Sequence, residues 1–309
     1  MRAGLAAVAV VAVLASSTGT SGSTAPPTDR PSVEAEVAAS VPFDAAAVLA
    51  GVLAVDEVGG VDDPADEAAA LVVGATLEQQ LAALGADVSV AVMDVAFGDE
   101  LVVGGTVVEA ASAVKVDVVA TLLLDREGRP SGRERALARE AIEVSGNEAT
   151  DALLGIVGRD AVNAFLERTG ADDTRLETSE WGLASTTAAD RLRVLQATIG
   201  PDALLDERDE RLLRRLMRDV TDEQRIGVDA AADDPATALL KAGYLPDADS
   251  GRWYVSSMGE VVRDGRTYLV AVVSAGNESL EDGADRVEQA AVLAVDALGS
   301  LQVGEDGPI

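Results

Sequence analysis

The hydrophobic spacing of this chain changes period twice, and that double change limits the possible folds more than any other feature. Val88 to Val95 alternates as a strand does, Phe97-Gly98-Asp99 reads as a turn, and Leu101 to Val108 returns as the partner strand. From Leu137 to Leu216 the signals are mostly helical. Ser131 with Glu134 has capping-box spacing, Gly158 and Gly170 read as helix stops, and Thr187 with Asp190 opens a further helix. After Gly227 strand spacing resumes in Ala238 to Leu245, Trp253 to Val262 and Thr267 to Ser274, joined by turns at Pro246 to Arg252 and Asp264-Gly265. Leu280 to Leu298 reads as a closing amphipathic helix. Strands at both ends with helices between them predict an α+β fold. One antiparallel five-stranded sheet is drawn from both chain ends, with helices packed on it and an all-helical block inserted.

Ahead of the first strand, Met1 and Arg2 precede an apolar run from Leu5 to Leu14, with Val13 and Ala15 at a small-residue cleavage site. This is the pattern of a secretory signal peptide, and the run is short for a membrane span; an uncleaved anchor is the alternative. No cysteine follows, so lipid attachment there is excluded. Ser16 to Val41, rich in Ser, Thr and Pro, reads as a disordered tether. Asp44 to Val58 is expected to be a helix stopped by Gly59-Gly60, and Asp63-Pro64 caps a longer helix ending at Gly85. The expected boundaries are therefore residues 1–15 for the signal, 16–41 for the tether, 42–65 for a helical extension and 66–303 for the main domain. Within that domain, residues 66–111 and 226–303 form the α/β part and residues 112–225 the helical part.

Composition narrows the chemistry. The 309 residues are 48% hydrophobic and carry a formal charge of -30. That acidity disfavours nucleic acid and anionic membrane surfaces as partners and favours a solvated surface. The absence of histidine and cysteine removes thiol nucleophiles, disulfides, imidazole or thiolate metal sites and any Ser-His-Asp relay. Lysine, tyrosine and carboxylates are left as candidate bases, and no metal or cofactor is expected.

Against that background Ala111-Ser112-Ala113-Val114-Lys115 stands out, because Lys115 and Lys241 are the only lysines in a chain that otherwise uses arginine. Lysine can act as a base when burial or a second cation lowers its proton affinity, whereas arginine stays charged. If Val116 to Leu124 is a helix, Ser112 lies in its first turn with Lys115 three residues on, sharing a face. Free N–H groups at the helix start favour negative charge developing near the hydroxyl.

Two more motifs follow in order. Ser145-Gly146-Asn147 falls on a loop at a helix start, and Lys241-Ala242-Gly243 on the first strand of the C-terminal set. Ser-x-x-Lys, Ser-x-Asn and Lys-x-Gly in this order resemble class A β-lactamases and penicillin-binding proteins. The likeness covers roughly Asp66 to Gly299, including Leu77-Glu78-Gln79-Gln80 before the first strand, and is similar to a secreted actinobacterial subgroup with a shortened middle. The resemblance implies that Ser112 is the acylated nucleophile and Lys115 its base or proton relay. It implies that Ser145 passes a proton toward the leaving group and that Asn147 holds the substrate amide and the lysine. Lys241 would supply positive potential and depress the proton affinity of its neighbours, and Gly243 would let substrate approach the strand edge. The N–H groups of Ser112 and Tyr244 would form the oxyanion hole.

The sequence also departs from that pattern. Gly146 replaces the usual aspartate and Ala242 the usual hydroxyl residue, so one structural carboxylate and one contact to a substrate carboxylate are missing. The resemblance further implies a deacylating glutamate in an Arg-x-Glu loop. Glu177 and Glu180 lie in the corresponding loop before Trp181-Gly182, neither in the expected local pattern. Among other features, Asp247-Ala248-Asp249-Ser250-Gly251 faintly resembles half a calcium loop but reads better as a hairpin turn. Asp117, inside the apolar helix, reads as a partly exposed turn position, with burial against a lysine as the alternative.

The reading is a secreted or cell-wall-associated serine hydrolase, expected to be monomeric. Its substrate would be a small molecule or peptidoglycan-like, cleaved at an amide or ester. The runner-up among enzymes is a peptidase or esterase inactive on β-lactams. From another class comes a non-catalytic binding or scaffold module that keeps the cleft without turnover.

Overall fold

The computed structural model describes residues 64–178 and 180–302, and one compact unit of the chain runs from Ala70 to Ile309. The expected leader, tether and Asp44 to Val58 helix lie outside the described residues. Helix α1, Pro64–Ala82, is followed by strand β1, Asp87–Asp94, and strand β2, Glu100–Val103. From the other end come β5, Leu239–Pro246, β6, Trp253–Arg263, and β7, Arg266–Asn277. All pair antiparallel in the order β2-β1-β7-β6-β5, with Val92 of β1 opposite Val270 of β7. The five-stranded sheet built from both chain ends is thus as expected. Asp264 and Gly265 turn the β6–β7 hairpin with φ of 51° and 74°, the pair of left-handed residues that matches the twist of the strands.

Nearly every residue of β1 and most of β7 are buried, a continuous pattern that requires cover on both faces. Helix α6, Ala188–Ile199, supplies one cover and α8, Leu280–Gln302, the other. β5, at the edge, keeps one side free of strand partners. That side is where the helical block meets the sheet.

One strand differs from expectation. The partner of β1 stops at Val103 rather than continuing to Val108. Gly104 adopts φ of 84°, and any Cβ there would lie 2.4 Å from the Ser89 hydroxyl, so the chain leaves the sheet at this point. Ser89 Oγ then accepts from Thr106 N–H at 2.8 Å. Val108–Glu109, strand β3, pairs instead with β4, Ser185–Thr186, in a separate ribbon. This ribbon ties the approach to Ser112 to the loop before α6.

The helical block consists of α2, Lys115–Arg126, surrounded by α3, Gly132–Glu143, α4, Asn147–Val157, α5, Arg159–Thr169, and α7, Glu207–Arg218. Ser131 and Glu134 form the reciprocal capping box, Gly158 and Gly170 cap α4 and α5, and Thr187 accepts from Asp190 N–H at the start of α6. Lys115 through Leu123 are all buried, the mark of a helix surrounded on every side. Asp117 is consequently neither exposed nor paired with a lysine: both its oxygens accept from Arg191 Nη1 at 2.9 Å. No helix among the described residues is long and apolar enough to cross a membrane.

Candidate active site

The residues expected to act as nucleophile and base enter through a change of helix type. Ala111–Val114 is a single 3₁₀ turn that hands over to α2 at Lys115, so Ser112 belongs to that turn rather than to the α-helix proper. A tighter turn has three residues per revolution, which brings side chains i and i+3 into line. Ser112 and Lys115 have that spacing. Ala111 takes φ of 46°, a left-handed strain on the order of 1–3 kcal/mol, held in place by an Ala110 N–H bond of 2.7 Å to the Ala184 carbonyl. Ser112 itself is half-buried, and its hydroxyl makes no hydrogen bond to a described residue.

Edge strand β5 supplies the opposite wall. A Cβ on Gly243 would sit 2.5 Å from the Ala110 carbonyl oxygen, 2.6 Å from Ala113 N and 3.0 Å from Ser112 N. The nucleophile turn therefore fills the space that a side chain would need, and Gly243 serves first to admit that turn. Ser112 N is brought beside the strand just before half-buried Tyr244, so the two expected oxyanion donors lie on adjoining segments.

The two lysines converge on one hydroxyl. Lys115 Nζ donates to Ser145 Oγ at 3.1 Å, to Asn147 Oδ1 at 2.8 Å and to the Ser145 carbonyl, while Lys241 Nζ donates to Ser145 Oγ at 3.1 Å and to the Ala242 carbonyl at 2.8 Å. Ser145 reaches between them with φ of 57° immediately before the Gly146 cap of α4. Burial pushes Lys115 down to about 8, opposed by the charge of Asp151. Burial first, and then the nearby Lys115 charge, together push Lys241 down to about 7. Loss of water is thus the main cause at both amines, and the repulsion between them is mutual. Each amine has a substantial neutral fraction at mildly alkaline pH, which is what a proton acceptor needs.

The departures have visible packing counterparts. A Cβ at Gly146 would lie 2.8 Å from Glu140 Cγ and 3.2 Å from its carbonyl oxygen, so the missing aspartate would require Glu140 to move. Ala242 is fully buried opposite Ser257 on β6. Asp247 accepts from the N–H groups of Asp249 and Ser250, which makes its segment the hairpin turn expected.

Neither candidate deacylation base makes a hydrogen bond or ion pair with the cluster among the described residues. Contrary to expectation, Glu177 does stand in an Arg-x-Glu triplet, Arg175-Leu176-Glu177. Asn163, however, clamps Leu176 through both halves of its amide, at 2.9 Å and 3.1 Å. Leu176 packs in the hydrophobic core, and Glu177 is exposed. Glu180 is exposed as well, and neither carboxylate makes a hydrogen bond or ion pair among the described residues. Sequence reasoning instead missed Trp181, whose ring lies 5.0 Å from Lys115 Nζ. Its signal was rarity, since the chain has only two tryptophans.

The model of the Beta-lactamase enzyme family matches residues 133–298, more than half of the chain. This chain belongs to that family. The matched stretch contains Ser145, Asn147, Lys241 and Gly243; Ser112 and Lys115 precede it and join them through the geometry above. A comparison with curated protein sequences finds no match. Solved structures agree on the fold. A class A beta-lactamase from Bacteroides cellulosilyticus superposes with a TM-score of 0.62 at 19% identity, covering 74% of this chain and 99% of that one. PBP-A superposes with a TM-score of 0.63 at 18% identity, covering 74% and 96%. For a class A beta-lactamase from Mycobacterium abscessus the values are 0.60 and 18%, covering 72% and 99%. The family's β-lactamase/transpeptidase-like architecture is therefore the architecture of this chain.

Proposed function

We propose that this protein is a secreted serine hydrolase that forms an acyl-enzyme at Ser112 and cleaves an amide or ester in a β-lactam or cell-wall-like substrate. One observation carries the reading: the only two lysines, far apart in sequence, both hydrogen-bond to Ser145 Oγ at 3.1 Å, and three residues before one of them stands a serine whose hydroxyl bonds to no described residue. Neutral Lys115 takes the Ser112 proton as Oγ attacks the carbonyl carbon. The N–H groups of Ser112 and Tyr244 receive the oxyanion. As the intermediate collapses, the proton passes from Lys115 through Ser145 to the leaving nitrogen or oxygen, and Lys241, which donates to the same Ser145 Oγ, steadies that hydroxyl in the relay. Asn147 holds both the Lys115 amine and the substrate amide. Water then cleaves the ester. An acyl-enzyme complex with penicillin G has been described for a point mutant of PBP-A, which shares this fold at 19% identity and supports the same chemistry here.

The test is hydrolysis of a chromogenic ester and a chromogenic cephalosporin by the wild type and by Ser112→Ala. Loss of all turnover in the variant is expected; equal turnover in both overturns the assignment. A second reading, a binding or scaffold module without turnover, draws support from the outward position of Glu177 and Glu180. It predicts ligand binding that survives Ser112→Ala with no hydrolysis by either protein. Export has its own check, since the mature secreted chain should begin at Ser16.

A further inference from the structure

The Lys115 amine has one neighbour that the roles above leave unused. Its three donors are taken by the Ser145 carbonyl, Ser145 Oγ and Asn147 Oδ1, and the Trp181 ring lies against it with the centroid 5.0 Å from Nζ. Trp181 is held in turn, because its indole N–H donates to Asp151 Oδ1 at 2.7 Å. Asp151 stands on α4, one helical turn beyond Asn147, so acceptor and anchor project from the same face. From the other side, Gly182 packs beside the Ala111 Cα, which joins the Trp181 turn to the nucleophile turn. Amine, ring and carboxylate thus close a circuit around Lys115. The aromatic face attracts a cation, and a carboxylate one residue further out favours the charged amine. Among the described residues, the other charged group beside Lys115 is Lys241 from β5, which shares Ser145 Oγ with it and acts in the opposite sense. Glu177 and Glu180 make no contact with the amine.

We propose that Asp151 and Trp181 are positioning residues for Lys115: the tethered indole caps the amine, keeps it turned toward Ser145 and Asn147, and with the Asp151 charge sets how readily it releases its proton. The proposal rests on the reading of Lys115 as the proton acceptor, and it deepens that reading by tying the working pH to a loop tryptophan. The direct charge effect is consistent with it, since Asp151 holds Lys115 up against the lowering caused by burial.

The test exploits the lysine count. With only Lys115 and Lys241 present, the full-length mature protein labelled with ¹³Cε-lysine gives two side-chain signals, assigned through Lys241→Arg. In Asp151→Asn the Lys115 midpoint should fall by roughly half a pH unit or more while Lys241 moves less. Trp181→Leu should abolish the ring-current shift on the Lys115 signal. If Asp151→Asn fails to fold, Trp181→Phe keeps a ring but frees the carboxylate, and the midpoint should fall there too. An unmoved Lys115 midpoint in a folded variant, or no ring-current shift in the wild type, overturns the proposal. Acylation by an ester probe across pH separates the two layers. A moved midpoint with no labelling of Ser112 at any pH sustains the positioning role and defeats the proposed hydrolase function. Labelling with an unmoved midpoint does the reverse.

Discussion

Ser145 lies between two amines that each hold a proton less tightly than a free lysine, and the site's pH behaviour follows from that. Below about 8 Lys115 is mainly charged and cannot accept the Ser112 proton, so the rate of acylation by an ester probe should rise with pH through about 8. The sign for stability is the reverse of the usual lysine partnership. With folded values of about 7 and 8 against an ordinary 10.5, the charged forms are penalised in the folded state below those values, and the penalty fades as pH rises toward 10.5. Lys241→Met should therefore raise the melting temperature at pH 7 by several degrees, on the order of 2 kcal/mol, with the gain vanishing near pH 10. Acylation in that variant should fall by about a hundredfold or more, measured by stopped-flow with the same probe. The motif residues were legible because lysine is so rare in this chain. Asp151 and Trp181 were not, since their link joins positions 30 apart and leaves no local pattern. Glu177 is exposed next to Leu176, whose backbone is held by Asn163 on a preceding helix, a contact that leaves no local pattern either.

The helices and strands were read more fully than the contacts between them. Caps and glycine stops depend on a few adjacent residues, so α3 through α6 follow the signals at Ser131, Gly158, Gly170 and Thr187. The end of β2 depends on the Ser89 side chain across the ladder, which local spacing cannot show. Asp117 and Arg191 make the same point between α2 and α6. Their bond is fully buried, and Arg191 Nε and Nη2 have no hydrogen-bond partner among the described residues. Burial raises Asp117 to about 6 in spite of the guanidinium beside it. Breaking the pair by Asp117→Ala should cost about 3–5 kcal/mol in urea unfolding, because an unpaired buried cation remains. The double change Asp117→Leu with Arg191→Met should recover most of that loss. Gly243→Ala tests the contact between β5 and the nucleophile turn. Its Cβ would meet backbone at 2.5 Å, so acylation should fall by about a hundredfold while the sheet keeps its stability within roughly 1–3 kcal/mol of the wild type.

At the scale of the whole molecule, the first and last strands of the sheet meet, with β1 paired to β7 across the inserted helical block. That both chain ends build one sheet was legible because period changes survive without any knowledge of side-chain contacts; which strands pair was not. The net charge of -30 acts on the same scale. Self-repulsion between solvated acids is screened by salt, so the melting temperature should rise by a few degrees between about 0.01 M and 0.5 M sodium chloride. The helical block and the sheet bring β5, the 3₁₀ turn and the start of α4 to one place, and it is there that chemistry is proposed. The most direct measurement is intact mass followed by peptide mapping of the secreted protein, after incubation with a penicillin and separately with an activated ester or phosphonate. The account predicts an adduct confined to Ser112 with at least one probe, absent in Ser112→Ala. No adduct with any probe, or an adduct on another residue, would contradict it.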